Sequence, residues 1–144
     1  MELSIDTSTR YASVALSVDG EVVAELSWRS DRNHSVELVP TMRRLMDHAG
    51  TDMQGLRAVF VAGGPGGFSA LRVGMSTAKT LADSLKISLV SVGTLDIEAS
   101  PYLSLGVPVC ALIEAGKSRL YVGRYGADKG GTDYEVVEYE GLGP

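Results

Sequence analysis

One cysteine, Cys110, stands in 144 residues, which excludes an internal disulfide framework and fits a reducing compartment. Only two histidines, His34 and His48, accompany it, so the chain holds little material for a metal site. An excess of basic charge is also missing. Lys and Arg number 13 against 18 Asp and Glu, for a net charge of -5 and a pI near 5.0. That balance argues against a protein that grips nucleic acid by itself. No apolar run approaches the ~18 residues that a membrane helix needs. The start, Met1-Glu2-Leu3-Ser4, is short and acidic and does not read as a signal peptide, so the expected location is the cytoplasm. No Gly-Lys-Ser/Thr follows a glycine loop, no serine sits in a Gly-x-Ser-x-Gly elbow, and no nucleophile–base pair stands out.

What is present is ordinary for a globular protein, 44% hydrophobic and 22% charged, long enough for one domain or one complete domain with part of another. Residues 3–5 alternate and end at the polar turn Asp6-Thr7-Ser8-Thr9. Strands are expected at residues 12–18 and 21–28, joined by the hairpin dipeptide Asp19-Gly20. The polar stretch 30–33 reads as a loop. A helix then fits residues 35–49, because Leu38, Val39, Met42, Leu45, Met46 and Ala49 fall in one arc about 120° wide, with Val36 outside it. Gly50 ends it. Residues 58–62, apolar on both faces, make a central strand.

That strand runs into Gly63-Gly64-Pro65-Gly66-Gly67-Phe68-Ser69, and a second amphipathic helix continues to about Leu85. The loop either cradles an anion with free N–H groups at the helix start or only turns strand into helix. The helix's apolar positions, Phe68, Ala70, Leu71, Gly74, Met75, Ala78, Leu81, Ala82 and Leu85, span about 160°, more than one sheet contact needs. Part of that arc packs on the chain's own sheet or meets a partner helix. A fifth strand is expected at 86–92, and a short helix at 94–100 with Thr94 as cap and Pro101 as stop.

Strands at 109–113, 120–125 and 134–139, with a glycine-rich loop at 127–132, repeat the opening pattern, and Ile113-Glu114 stands where Ile5-Asp6 stood. The reading is one complete unit, residues 1–104, followed by the strands of a truncated second, residues 105–144. Asp6 either holds Mg²⁺ through water beside phosphates or satisfies N–H groups in its own turn. His34 has Leu38, not a second ligand, four residues on, and reads as a polar helix-start residue. Cys110, in an apolar strand, reads as a buried structural cysteine rather than a nucleophile.

Five stretches occur in order: Ile5-Asp6-Thr7-Ser8-Thr9, His34-Ser35-Val36-Glu37-Leu38-Val39-Pro40, Gly64-Pro65-Gly66-Gly67-Phe68-Ser69-Ala70-Leu71-Arg72-Val73-Gly74, Val92-Gly93-Thr94-Leu95 and Ala111-Leu112-Ile113-Glu114-Ala115. With them the chain resembles the TsaB (YeaZ) family of bacterial tRNA-modification proteins, over residues 2 to about 125. The resemblance implies an α/β, actin-like ATPase or RNase H-like fold with a mixed five-stranded sheet, plus an incomplete second repeat of strands. It implies a non-catalytic partner that binds and activates a TsaD-type threonylcarbamoyltransferase, with a TsaE-type ATPase, in forming N6-threonylcarbamoyladenosine in tRNA. Contact with tRNA is then indirect, and a homodimer is expected when the chain is alone. A nucleotide-binding or phosphotransfer enzyme of the actin-like superfamily is the alternative, and a peptidase the weaker one. For nucleotide or anion binding the candidates are Asp6, Thr7, Ser8, Gly64, Gly66 and Gly67. For the partner interface they are Leu38, Met42, Leu45, Met46, Leu71, Gly74, Met75, Ala78 and Leu81. The family usually has Ser, Thr and Gly where this chain has Gly67, Ser69 and Ala70. With half of the second unit, the resemblance implies at most weak ATP or ADP binding with Mg²⁺, and no tightly bound cofactor.

Overall fold

The computed structural model describes residues 1–31, 33–126 and 134–138. Its contacts divide into two compact units. The first is residues 1–63 and 67–92, and the second is residues 64–66 together with those from Gly93 onward.

The first unit opens with an antiparallel meander of β1 (Glu2–Asp6), β2 (Tyr11–Val18) and β3 (Glu21–Arg29). Alternation fixes its register: Leu3 stands opposite Leu16 and Ile5 opposite Val14, so four buried side chains share one face. Asp19 and Gly20, both at positive φ, form the expected two-residue turn. α1 (His34–His48) crosses to β4 (Ala58–Ala62), which pairs in parallel with β1. α2 (Phe68–Leu85) then leads to β5 (Ser88–Val92), parallel to β4. The order β3-β2-β1-β4-β5 is the mixed five-stranded sheet expected of an RNase H-like unit. Val59 and Val61 join the Leu3 and Ile5 face, which packs with Leu38, Met42, Leu45 and Met46 of α1 and Ala78 of α2. Val36, outside the apolar arc of α1, is exposed.

Both long helices end by the same device. Thr51 N–H donates to Met46 O (3.0 Å) and Gly50 N–H to Asp47 O (3.2 Å), with Gly50 at φ 65°. After α2, Ile87 N–H donates to Ala82 O (3.0 Å), but the left-handed position is filled by Lys86 at φ 57°. This reversal occupies residues 86 and 87, so β5 starts at Ser88 rather than at residue 86.

The second unit contains α3 (Thr94–Ala99), a 3-10 stretch (Ser100–Leu105), and an antiparallel sheet of β6 (Val109–Glu114), β7 (Arg119–Tyr125) and β8 (Tyr134–Glu138) in the order β6-β7-β8. The expected loop at 127–132 and residue 139 lie outside the described residues. Leu95 and Ala99 of α3 pack with Ala111, Ile113 and Tyr125; Cys110 is exposed, not buried as expected, because it alternates with Ala111 and Ile113 along β6. The division therefore falls before α3, not at residue 104, because the apolar side of that short helix is buried by β6 and β7. Gly93, not Thr94, is the cap of α3, and Thr94 Oγ1 is buried without a partner among the described residues. Pro101 does not stop the chain's winding; it sits early in the 3-10 stretch that continues α3.

Candidate functional site

Of the nucleotide candidates, Asp6, Thr7, Ser8 and Gly67 come together where β1 meets the start of α2. Asp6, at the last position of β1, turns a carboxylate oxygen onto its own loop. Oδ1 accepts Ser8 N–H at 2.8 Å and Ser8 Oγ at 2.6 Å. Two donors on one oxygen make this an Asx turn closed by a hydroxyl. Thr7 and Ser8 are 1% exposed. The Thr7 hydroxyl donates to Ala70 O (2.7 Å), and Ser8 O accepts from Gly67 N–H (2.8 Å). Two of the groups that a phosphate cradle would offer, the Ser8 hydroxyl and the Gly67 N–H, thus bond within the chain. Gly74 lies beneath: an added Cβ there would run into Thr7 Oγ1. Gly64 and Gly66 belong to the second unit, where Gly64 O accepts from Thr94 N–H at 2.8 Å.

His34, at the start of α1, is 6% exposed and its Nε2 lies 3.2 Å from Thr9 O, so that nitrogen carries the proton and donates. Leu38, one turn on, is in the core. No group of three or more metal-ligating side chains occurs among the described residues. Beside His34 is a network with no motif in the sequence to announce it. The Glu37 carboxylate accepts from Trp28 Nε1 at 3.0 Å, and the Ser30 hydroxyl accepts Asn33 N–H at 3.2 Å. A hydrogen bond from Ser30, that from Trp28 and the nearby His34 charge hold the Glu37 carboxyl below its ordinary range. In the second unit, burial and a 2.8 Å hydrogen bond to Asp96 push the Tyr125 phenol above its ordinary range.

The interface candidates divide differently from their sequence grouping. Leu38, Met42, Leu45, Met46, Gly74 and Ala78 are buried in the first unit's own core, so these side chains are not on offer to a partner in this fold. Leu71 and Leu81 are half-buried, and Met75 is 37% exposed. The apolar side chains that the helices do present are Val36 and Val39 on α1, and Phe68 and Met75 on α2. Phe68 is 74% exposed with the Arg72 guanidinium 5.4 Å from its ring centre. Periodicity shows which arc of a helix is apolar. It does not show how much of that arc the adjoining sheet and helix already cover, and Val36 was the one signal available, since it broke the pattern.

Comparison with known proteins adds what geometry does not supply. Residues 21–138 match the family model described as "TsaD: tRNA N6-adenosine threonylcarbamoyltransferase". The chain is 32% identical to the tRNA threonylcarbamoyladenosine biosynthesis protein TsaB of Bacillus subtilis, over 85% of this chain and 54% of that protein. To the TsaB of Escherichia coli it is 31% identical, over 90% of this chain and 56% of that one. Among solved structures, YeaZ from Pseudomonas aeruginosa superimposes with a TM-score of 0.79 at 30% identity, over 97% of this chain and 65% of that one. A second, described as similar to peptidase YeaZ from the same organism, gives 0.84 at 30% identity, over 95% and 66%. The chain therefore spans about half the length of the curated relatives it matches. By its family-model match, its TsaB relatives and its YeaZ-like actin-like/RNase H-like architecture, the chain belongs to the TsaB (YeaZ) family.

Proposed function

We propose that the chain serves the formation of N6-threonylcarbamoyladenosine in tRNA as a non-catalytic partner that binds and activates a TsaD-type transferase. The observation that carries the reading is apolar surface on the two long helices of a TsaB-family fold: Val36, Val39, Phe68 and Met75 remain exposed after the core is filled. These four replace the buried positions first expected as contacts. The same surface joins two copies when the transferase is absent, and a TsaE-type ATPase completes the complex. tRNA reaches the chain only through its partners, in keeping with a net charge of -5. The reaction takes place in the cytoplasm. Asp6, bonded into its own turn, leaves at most weak ATP or ADP binding with Mg²⁺.

Co-purification of the chain with its TsaD counterpart tests this. Association is expected for the natural sequence. It should be lost on Val39→Asp combined with Met75→Asp, with the circular dichroism spectrum unchanged because both positions are exposed. Absence of association for the natural sequence removes the reading. Calorimetry with ATP and Mg²⁺ discriminates the phosphotransfer alternative, which requires saturable heat that Asp6→Asn abolishes.

A further inference from the structure

We propose that the groove between the C-terminal half of α2 and β5 is a docking site for an extended acidic peptide segment, which adds as a strand to the open edge of β5. The surface lies wholly within the first unit and uses none of the four side chains assigned above to the transferase.

The edge supplies main-chain pairing. β5 ends the strand order, so among the described residues no strand lies on its outer side. The Val92 carbonyl accepts Gly63 N–H (2.8 Å) on the β4 side. N–H and C=O alternate in direction along a strand, so those of Leu89 and Ser91 face outward. Among the described residues no strand covers this edge, and its own sequence does not guard it. Ser88-Leu89-Val90-Ser91-Val92 holds no charge and no proline. β3, the opposite edge of the same sheet, carries Glu21, Glu25 and Arg29, and the β2–β3 pairing is bulged at Leu16/Ser17. Leu89 and Val90 are 41% and 39% exposed.

The groove supplies selectivity. It is a shallow depression of about 390 Å³ lined by Lys79, Ala82, Asp83, Lys86, Ile87 and Leu89. Leu89 shares the face of its register partner Val59, the helix side of the sheet, so its side chain forms part of the groove floor with Ala82 and Ile87. The rim is basic. Lys86 Nζ is 3.1 Å from Asp83, and Lys79 enters no ion pair among the described residues. A net positive rim on a chain of net charge -5 marks this place for a carboxylate. A helix lying alongside an open strand edge is the geometry in which extended peptides dock by β-addition, with main-chain bonds giving affinity and alternate side chains giving specificity. In an added strand, residues two apart share a face. The fitting segment therefore has an apolar residue for the Ala82, Ile87 and Leu89 floor, and a carboxylate two positions to either side for Lys79 and Lys86.

The probe is the synthetic peptide Ac-Ser-Glu-Thr-Leu-Thr-Glu-Ser-NH₂, titrated into the ¹⁵N-labelled chain and followed by amide shifts. Saturable shifts centred on Leu89 and Ser91 are expected, with slowed exchange of those two amides. Lys79→Glu together with Lys86→Glu should weaken binding about fivefold or more, as expected for losing two exposed ion pairs. Replacing both glutamates of the peptide by lysine should do the same. N-methylation of alternate peptide bonds, which removes main-chain donors and leaves the side chains, should abolish the shifts. No saturable shift, equal binding of the lysine peptide, or binding indifferent to N-methylation in both alternations each overturns the proposal. Val39→Asp with Met75→Asp must leave peptide binding intact, which separates this surface from the one assigned to the transferase.

Discussion

The sheets of the two units share one pattern, a strand ending in an acid, a polar turn, and two more antiparallel strands, yet the units treat it differently. In the first, the acid at the strand end is capped by Ser8, and Thr7 and Ser8 are bonded to the start of α2. In the second, Glu114 is followed by Ala115, and the turn closes through Ala115 N–H to Arg119 O (2.8 Å), with Gly116, Lys117 and Ser118 all at positive φ. β1 is paired on both sides, by β2 and β4, whereas β6 has only β7 among the described residues. The first unit buries side chains from both long helices on its sheet, and the second packs one short helix against two strands. The lesson is that a strand–acid–turn pattern does not define a site. What the neighbouring hydroxyls and the next helix do with the carboxylate decides its chemistry.

Breaking the first unit should give the largest effect. Met42→Asp places a charge where exposure is 2%, a cost of several kcal/mol at least. Loss of the cooperative urea transition followed by Trp28 fluorescence is expected. Val39→Asp, three residues away and 40% exposed, should keep that transition. An intact transition for Met42→Asp would return that residue to the surface. The second unit should respond through Tyr125. Tyr125→Phe removes the donor to Asp96, a loss of about 1 kcal/mol. The sign of the pH effect follows from the raised pKa. An unfolded tyrosine titrates near pH 10, so the contribution is complete below that value and is lost as pH rises through the folded value. Protection factors of the β6 and β7 amides, which divide out the base-catalysed rise of intrinsic exchange, should fall across the alkaline range in the natural chain, and Tyr125→Phe should flatten that fall. The smallest effect is a gain. Lys86 holds the left-handed position that Gly50 holds after α1, so Lys86→Gly should stabilise the first unit by about 0.5–1 kcal/mol. A higher urea midpoint at unchanged slope is the check.

Much of the fold was legible in residue order. The Leu3/Ile5 and Val14/Leu16 alternation, the Asp19-Gly20 turn, the Gly50 helix end and the doubly apolar 58–62 strand each carry a local signal with one physical meaning. The second set of three strands was legible for the same reason, as a repeat of the first. The site was less so. The sequence shows Asp6 at a strand end, but whether its oxygens are free depends on Ser8, Thr7 and a helix that starts some sixty residues later. Lys86 gave no warning that it takes a left-handed conformation, since glycine normally fills that place. The burial of Leu38, Met42, Leu45, Met46, Gly74 and Ala78 within the chain was not legible, because an apolar arc looks the same whether the chain itself or a partner covers it. Trp28, Glu37 and Ser30 meet only after β3 and α1 pack, and no spacing encodes that meeting.

The bond from Thr7 to Ala70 spans 63 residues of chain. Closing a loop of that length costs conformational entropy before any contact repays it, so these groups meet late in folding. The Gly67 amide, bound to Ser8 O beside it, therefore reports on the docking of the start of α2 against the Asp6 turn. Its exchange should follow local opening of that contact and run faster than that of the buried sheet amides. A partner that altered the start of α2 would be felt at the Asp6 turn without touching it, through the Thr7–Ala70 and Gly67–Ser8 bonds.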